Sequence, residues 1–462
     1  MKKTFAAATS WIMPLQQSVT ALRQGPPGQL WFFCLFWSFW LSLASFPIGY
    51  GMREVLPVLS CIFLLLYYRH EWHNSVLRRL NARPLFYCLF LMILIGVIFS
   101  GNVWASFLHA GTGINKGFIL PFIAMECARE EKDLRRLVWA CVAACFWQGL
   151  DGIWQAGTGR DFIMGYAPNA GRLTGSLGDY TVGNYIALAL VPAFSLWFLL
   201  RQRLGAVSSG FLWLTALWPA FFLLLGAASR SGALAVAASV GFWAVLRRRG
   251  WQWRIVLWPL LALGVAALLE GRIRSEAFMQ DGRWSLWKLG WRVFLEHPWF
   301  GAGAGQYNAA FRALGLSPEK DAITISHPHN LYLDMLYAHG MVGFSLGMIF
   351  LLGFLWWGYK RIRPRLAAEC EGRSASLHWR LTAWFWIGFA AWLVNGVFAH
   401  DFYRIWWLAL AMSYLGVMIG AVVNGMGGES TAQDDLPAGA DDAAAWAREG
   451  QHRPEGPCAA RP

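Results

Sequence analysis

The chain has 462 residues, of which 57% are hydrophobic, 16% aromatic and only 14% charged. Soluble globular proteins carry about 25% charged residues, and disordered chains are poor in aromatic residues, so both classes are excluded. Apolar runs close to the roughly 20 residues that cross a bilayer recur along most of the chain. The composition therefore predicts an all-α polytopic membrane protein.

The apolar runs predict about twelve transmembrane helices. The second run is short, and the fourth is interrupted by Lys116 and several glycines. The predicted spans, in chain order, are residues 30–49, 55–68, 84–100, 105–126, 137–156, 182–200, 208–228, 231–246, 255–269, 341–358, 381–398 and 405–424. The resulting organisation is a leader at 1–29, nine spans over 30–269, a long loop at 270–340, three spans over 341–424 and a tail at 425–462. The leader lacks a continuous apolar core, so we expect it to remain uncleaved, and the polar tail is predicted to be disordered.

Positive charge is distributed unevenly between the two sets of connections. Segments 69–83, 128–136, 201–204, 247–254 and 359–380 hold 20 Lys and Arg residues. The short connections on the other side hold six, namely Arg53, Lys116, Arg160, Arg172, Arg230 and Arg404. Because positive residues near span ends stay in the cytoplasm, we expect both termini inside and the segment 270–340 outside. The net charge of +13 is therefore a signal of topology, and no nucleic-acid-binding module accompanies it.

No cofactor or metal is predicted from the residue spacing. None of the eight cysteines falls within 270–340, and no Cys and His cluster has zinc spacing. No Asp-x-Asp pair lies in the exterior loops to hold a divalent ion. We therefore expect metal-independent chemistry.

The exterior segment contains an amphipathic helix, predicted over 281–296 with Asp281 as its N-cap. Its aromatic and apolar stripe consists of Trp284, Trp287, Trp291 and Leu295. The pattern suits a helix at the membrane interface, which would hold Arg283 at the level of lipid phosphates. A helix buried under the loop, with Arg283 only solvated, fits the same periodicity.

A histidine pair precedes the tenth span, in Ser326-His327-Pro328-His329-Asn330. Proline favours the first helical position, so a helix is predicted to begin near Pro328 with His329 in its first turn. The helix dipole disfavours a second proton on that imidazole, which leaves a neutral base. A cap or surface role is the alternative for His329.

Two exterior turns carry arginines. Arg230 lies between Ser229 and Ser231 at the start of the eighth span, where a guanidinium suits a phosphate or carboxylate and where snorkelling to headgroups is the alternative. Arg172 lies in a glycine-rich stretch that could form an anion-accepting turn before the sixth span. Gly340, Gly343 and Gly347 form a small-residue track that is predicted to allow close helix approach.

These pieces together resemble the bacterial O-antigen ligases, a family that also includes O-antigen polymerases and some protein O-oligosaccharyltransferases. The resemblance rests on His329-Asn330 followed by Gly340-Met341-Val342-Gly343, on the Arg230 turn and on the segment from Arg283 to Gly303. Asp401, before Trp406-Trp407, adds to it. It covers about residues 170–415. His339 departs from the pattern, since relatives commonly have an acidic residue there, and no role is assigned to it.

The resemblance implies a membrane glycosyltransferase of the GT-C type that acts at the periplasmic face of the inner membrane. The donor would be O-antigen linked to undecaprenyl diphosphate, and the acceptor a sugar hydroxyl of lipid A–core, with membrane lipids around both. His329 corresponds to the essential histidine, and Arg230 and Arg283 to the arginines of the family. Arg172 would assist at the diphosphate, with Asn330, His327, Asp401, Gly340 and Gly343 in support. One base favours direct attack by the hydroxyl, which inverts the anomeric centre.

Three other functions remain compatible with the sequence. An O-antigen polymerase would use a second lipid-linked sugar as the acceptor, and a protein O-oligosaccharyltransferase would use a protein. A transporter of an anionic lipid belongs to a different class. Matching interrupted helices in the two halves, which would favour inverted repeats and transport, are not evident.

Overall fold

A computed structural model describes residues 26–46, 48–179, 181–247, 282–316, 327–367, 376–399 and 402–434. Within those residues all regular structure is helical, apart from one isolated bridge between Asn169 and Arg172. The helices are α1 (Pro27–Ser45), α2 (Gly49–Glu71), α3 (Val76–Arg79), α4 (Pro84–Ile98), α5 (Val103–Gly113), α6 (Leu120–Cys127), α7 (Glu131–Thr158), α8 (Val182–Ala193), α9 (Leu196–Arg201), α10 (Ala206–Gly226), α11 (Arg230–Arg247), α12 (Gly282–Glu296), α13 (Tyr307–Ala313), α14 (Leu331–Ala367), α15 (Leu377–Asn395) and α16 (Ile405–Asp434).

Six helical stretches of the described residues are long and apolar enough to cross a bilayer. They are Pro27–Ser45, Glu131–Thr158, Val182–Arg201, Ala206–Gly226, Leu331–Ala367 and Ile405–Met426. The expectation of an all-helical membrane protein is confirmed in this form, while the count of twelve spans stays a prediction. The ninth predicted span, 255–269, lies outside the described residues.

Several predicted boundaries differ from the structure. The fourth predicted span is interrupted by a π-helical turn at Ile114–Phe118, where Lys116 pairs with Glu54 at 2.6 Å. Helix α14 begins at Leu331, ten residues before the predicted tenth span at 341–358, but it is interrupted at Gly340, directly before the predicted start of that span. The last helix continues to Asp434, ten residues into the predicted tail, whose disorder stays a prediction. Apolar runs mark where a chain can be buried, but hydrogen bonding decides where a helix ends.

Three of the five predicted basic connections meet at one end of the bundle. Arg79 donates from Nη2 to Asn424 Oδ1 at 2.6 Å, and Asn424 donates to the carbonyl of Ala128 at 2.9 Å. On the same side, the backbone N–H of His378 donates to Glu131 Oε2 at 3.0 Å. These bonds join the segments 69–83, 128–136 and 359–380, which the sequence grouped by charge alone. We call this the basic end of the bundle.

Candidate functional site

The His329-Asn330 turn lies just outside helix α14. Asn330 caps the helix, since its Oδ1 accepts hydrogen bonds from the backbone N–H groups of Tyr332 at 3.0 Å and Leu333 at 2.9 Å. His329 precedes the cap with φ +53°, in the left-handed region that non-glycine residues rarely adopt. The prediction of a helix start at Pro328 was therefore wrong: the side chain of Asn330 satisfies the first free N–H groups and sets the boundary.

This turn is fastened to the end of helix α15. The Asn330 side chain donates to the carbonyl of Val397 at 3.0 Å, and the N–H of Leu331 donates to the carbonyl of Gly396 at 2.8 Å. The hydroxyl of Tyr332 donates to the carbonyl of Leu393 at 2.9 Å. His329 is half-buried, and its ring centroid lies 4.2 Å from that of His327. The two imidazoles are thus held on a fixed backbone.

The Arg230 turn joins the same hydrogen-bond network. The hydroxyls of Ser229 and Ser231 both donate to Asn184 Oδ1, at 2.6 and 2.8 Å. Asn395, the last residue of α15, donates to the same oxygen at 3.2 Å. Because Gly396 and Val397 hold the His329-Asn330 turn, a continuous set of contacts links the two turns. Arg230 itself is exposed as the first residue of α11.

Arg172 lies on a neighbouring turn at this end of the bundle. The backbones of Asn169 and Arg172 exchange two hydrogen bonds of 3.0 Å, and the N–H of Leu173 donates to the carbonyl of Gly226 at 3.1 Å. Gly226 is the last residue of α10 and stands four positions before Arg230. The exposed Arg172 side chain is therefore on a segment packed beside the Arg230 turn.

Helix α12 has its apolar face against the start of α14. Its buried residues are Leu286, Leu289, Val293 and Phe294, which pack with Tyr307, Phe311 and Tyr337. Trp287 stacks on Phe398 with 6.1 Å between ring centroids, next to the carbonyl of Val397. Trp291 and Leu295 are 49% and 56% exposed. The structure therefore has features of both predicted alternatives, the interfacial helix and the buried helix. The face with Leu286, Leu289 and Val293 packs inward, whereas Trp291 and Leu295 of the predicted stripe stay exposed.

Three predictions on the site lie wholly or partly outside the described residues. Asp281 and Asp401 are not described at all, and Arg283 is described only as part of the backbone of α12. That backbone is one helical turn from Trp287, which contacts Phe398. The roles of Arg283 and Asp401 therefore stay predictions.

Arg404 is a further cation at this site whose role the sequence reasoning missed. It is partly exposed, and its guanidinium lies 5.7 Å from the ring centroid of Trp407. Burial first, and then the positive charge of Arg404, lower the pKa of His327 to about 3. His327 is therefore neutral at physiological pH. The signal in the sequence was an arginine on the low-charge side, directly before the last span.

Gly340 interrupts helix α14 with φ 62° and ψ −171°. The interruption is paired with the segment Pro298–Gly303: Ala302 and Gly303 donate to the carbonyls of Tyr337 and Ala338, at 2.8 and 3.1 Å. In return, Met341 and Val342 donate to the carbonyls of Pro298 and Trp299, at 2.8 and 3.1 Å. The predicted small-residue track is thus wrong for Gly340, which opens the helix for an inserted segment.

The residues next to this interruption are closely packed. His339 is fully buried, and its Nε2 lies 3.1 Å from the hydroxyl of Tyr403. Gly343 lies against His339, since a Cβ added there would come within 2.4 Å of the His339 Cβ. Gly343 therefore serves a close approach inside its own helix, beside the interruption. His339 anchors the segment that contains Arg404 to α14.

The site thus collects guanidinium groups and imidazoles at one end of the bundle. Such groups bind phosphorylated anions by charge-assisted hydrogen bonds, and a neutral imidazole accepts a proton. Across the ranges that the structure describes, no group of three or more His, Cys, Asp or Glu side chains could hold a metal ion. Metal-independent chemistry stays a prediction.

Comparison with known proteins gives a match over part of the chain. A family model described as O-antigen ligase matches residues 215–351. That range includes Arg230, Arg283, His327, His329, Asn330, Gly340 and Gly343, but not Arg172 or Asp401. No curated protein matches the chain. The resemblance found in the sequence is confirmed over this range, since residues 215–351 match the model of the O-antigen ligase family.

Proposed function

We propose that the protein is an O-antigen ligase. It transfers O-antigen polysaccharide from undecaprenyl diphosphate to a sugar hydroxyl of lipid A–core, at the periplasmic face of the inner membrane. The observation that carries this proposal is the hydrogen-bond network that joins the Arg230 turn to the His329-Asn330 turn through Asn184 and Asn395. This network supports the assignment of a cation for the leaving group to the Arg230 turn and of a base for the acceptor to the His329-Asn330 turn.

The reaction needs charge stabilisation and one proton transfer. The acceptor oxygen bonds to the anomeric carbon of the donor sugar, and the bond from that carbon to the diphosphate oxygen breaks. The diphosphate leaves with the electron pair, so its charge grows in the transition state, where Arg230, Arg283 and Arg172 stabilise it. The hydroxyl proton passes to His329. The donor carries its own leaving group, so no ATP is required.

His327 is a poor candidate for the base. Burial and Arg404 lower the pKa of His327 to about 3, which makes that imidazole a weak proton acceptor at neutral pH. His329 is half-buried and stands at the rim of the same turn. A general base of this kind contributes about 10²–10⁴-fold to the rate. We assign the base to His329 and a supporting role to His327.

Reconstitution tests the proposal. Purified protein in liposomes, given lipid-linked O-antigen and lipid A–core, is expected to form full-length lipopolysaccharide without ATP and in the presence of chelator. His329→Ala should lower the rate about 10²–10⁴-fold, while His297→Ala, an exposed histidine of the same loop, should not. Unchanged turnover of folded His329→Ala would remove the base assignment.

The arginines are tested through the donor. Arg230→Ala should weaken use of the lipid-linked donor, whereas Arg160→Ala removes an exposed arginine outside the network and serves as the control. Unchanged donor kinetics in Arg230→Ala would reject the role at the diphosphate.

The identity of the product separates the related functions. Growth of the saccharide on its own lipid carrier would indicate a polymerase, and transfer to added protein would indicate an oligosaccharyltransferase. Movement of the lipid-linked saccharide across the bilayer without a new bond would indicate transport. Any of these in place of lipopolysaccharide would overturn the ligase proposal.

A further inference from the structure

A cavity of about 240 Å³ lies at the basic end of the bundle, opposite the candidate site. It is formed by helix α7, helix α9 and the turn that follows α9. Its lining residues are Arg135, Trp139, Leu199, Leu200, Arg203 and Leu204. Two arginines and four apolar side chains thus share one concave surface, and the proposed reaction uses none of them.

The two arginines differ in how they are held. Arg135 donates from Nη2 and Nε to Glu131 Oε1, at 2.6 and 3.1 Å, while the other oxygen of Glu131 accepts from the N–H of His378. Arg203 is exposed, and within the part of the chain that is described it forms no ion pair with an acidic side chain. Arg135 is therefore oriented in advance, and Arg203 contributes a charge that no carboxylate of the described residues neutralises.

The surrounding charge is positive. Segments 128–136 and 201–204 together contain six Lys or Arg residues and three Asp or Glu residues. Arg201 is occupied in the turn, where its Nη1 donates to the carbonyl of Leu204 at 3.1 Å. The cavity thus favours an anion.

The apolar lining of the cavity, formed by Trp139, Leu199, Leu200 and Leu204, favours an anion that also has an apolar part. Trp139 lies one helical turn from Arg135 on α7, about 6 Å along the helix axis, and is 47% exposed on the outer face of the bundle. Leu199, Leu200 and Leu204 continue this apolar surface. Tryptophan is enriched at the boundary between headgroups and acyl chains, where it contacts both. A free phosphate would gain nothing from this apolar lining.

We propose that the cavity binds an anionic phospholipid of the leaflet at the basic end. Its phosphate lies between Arg135 and Arg203, and an acyl chain lies along Trp139 and the leucines. Basic pockets between transmembrane helices bind lipid headgroups in this way. A zwitterionic lipid carries a cation beside its phosphate, so it gains less from the positive surface.

Binding by the full-length protein in detergent tests this site, with native mass spectrometry as the readout. Phosphatidylglycerol should bind more tightly than phosphatidylcholine. Arg203→Gln should weaken phosphatidylglycerol binding about fivefold, since one basic residue near a membrane surface is worth about 1 kcal/mol. Trp139→Ala should weaken the binding of phosphatidylglycerol with full-length acyl chains. It should leave the binding of a short-chain phosphatidylglycerol unaffected.

The matched control is Lys132→Gln. Lys132 is on helix α7, three residues from Arg135, pairs with Glu130 at 2.8 Å and does not line the cavity. Its replacement removes one positive charge, as the replacement of Arg203 does. Loss of binding in Arg203→Gln but not in Lys132→Gln supports the proposal. Equal losses would reduce the effect to general surface charge, and equal binding of phosphatidylcholine would remove anion selectivity. Equally tight binding of glycerol 3-phosphate would show a site for free phosphate, and each of these results overturns the proposal.

Discussion

Replacing Gly340 by alanine should destabilise the protein, because this glycine holds the interruption of helix α14. Its φ of 62° and ψ of −171° lie in a region that is almost restricted to glycine, and an L-residue there costs about 1–3 kcal/mol. An added Cβ would also lie 2.4 Å from the carbonyl carbon and oxygen of Trp299. Strain and close contact therefore act together.

The free-energy cost of the close contact with Trp299 follows from the hydrogen bonds that it would break. Restoring an ordinary separation requires a movement of about 1 Å between Gly340 and Trp299. That movement would stretch the bonds from Met341 to Pro298 (2.8 Å) and from Val342 to Trp299 (3.1 Å) beyond hydrogen-bonding range. Two lost backbone bonds cost about 2 kcal/mol. The expected loss in the free energy of unfolding is about 3–5 kcal/mol.

Two further glycines separate the cost of backbone strain from the cost of the close contact with Trp299. Gly315→Ala tests positive φ without contact, since Gly315 has φ 68° and open space around its Cβ position, and it should cost about 1–2 kcal/mol. Gly157→Ala tests a helical glycine in open space and should be neutral or stabilising by up to about 1 kcal/mol. If Gly340→Ala costs no more than Gly315→Ala, the close approach to Trp299 is not what requires glycine.

A thiol-reactive fluorogenic maleimide can follow unfolding of these variants. Cys127, Cys141 and Cys145 are buried and react when the bundle opens. The apparent Tm of Gly340→Ala should fall by roughly 5 °C or more below that of the unsubstituted protein. Transferase activity measured below the Tm then reports whether the site survives the substitution.

Three other predictions concern single contacts of the site. Asn184→Ala removes the acceptor shared by Ser229, Ser231 and Asn395 and should lower kcat/KM at least tenfold, whereas Asn184→Asp keeps an acceptor and should retain most activity. Tyr403→Phe removes the hydroxyl beside buried His339 and should cost about 1–3 kcal/mol, measured by unfolding in denaturant; no change would mean that the imidazole finds another partner. His327 has a pKa of about 3 when folded and about 6.5 when unfolded, so its contribution to stability is lost as the pH falls below about 6.5. Between pH 7 and pH 5 the free energy of unfolding should fall by about 2 kcal/mol more in the unsubstituted protein than in folded His327→Gln. Identical pH profiles of the two proteins would contradict the low pKa of His327.

Much of the architecture follows from local patterns. Apolar runs predicted the helices because the free energy of burying a side chain in a bilayer is a property of each residue. Charge sorted the connections into two groups, and the contacts of Arg79 and His378 at the basic end agree with that grouping. The motif around His329 and the Arg230 turn was sufficient to suggest the family whose model matches residues 215–351.

The polar junction of the site was not predictable in this way. Asn184 and Asn395 each stand at the edge of an apolar run, where a single amide does not indicate its partner. They are 211 residues apart in the chain, yet one hydrogen bond of 3.2 Å joins them. Asparagine in an apolar span is a general sign of function, but only the packing of α8 against α15 shows which groups it connects.

The sequence by itself determined a helical membrane protein, the grouping of its basic connections and a set of candidate residues, because hydropathy and charge act residue by residue. The tertiary structure decided where helix α14 begins, why Gly340 interrupts it and how the Arg230 turn reaches Asn330. Those features depend on hydrogen bonds between segments distant in the chain, such as Pro298–Gly303 with the interrupted helix. These hydrogen bonds stabilise the protein only when the two segments pair, so the sequence of either segment alone does not predict them.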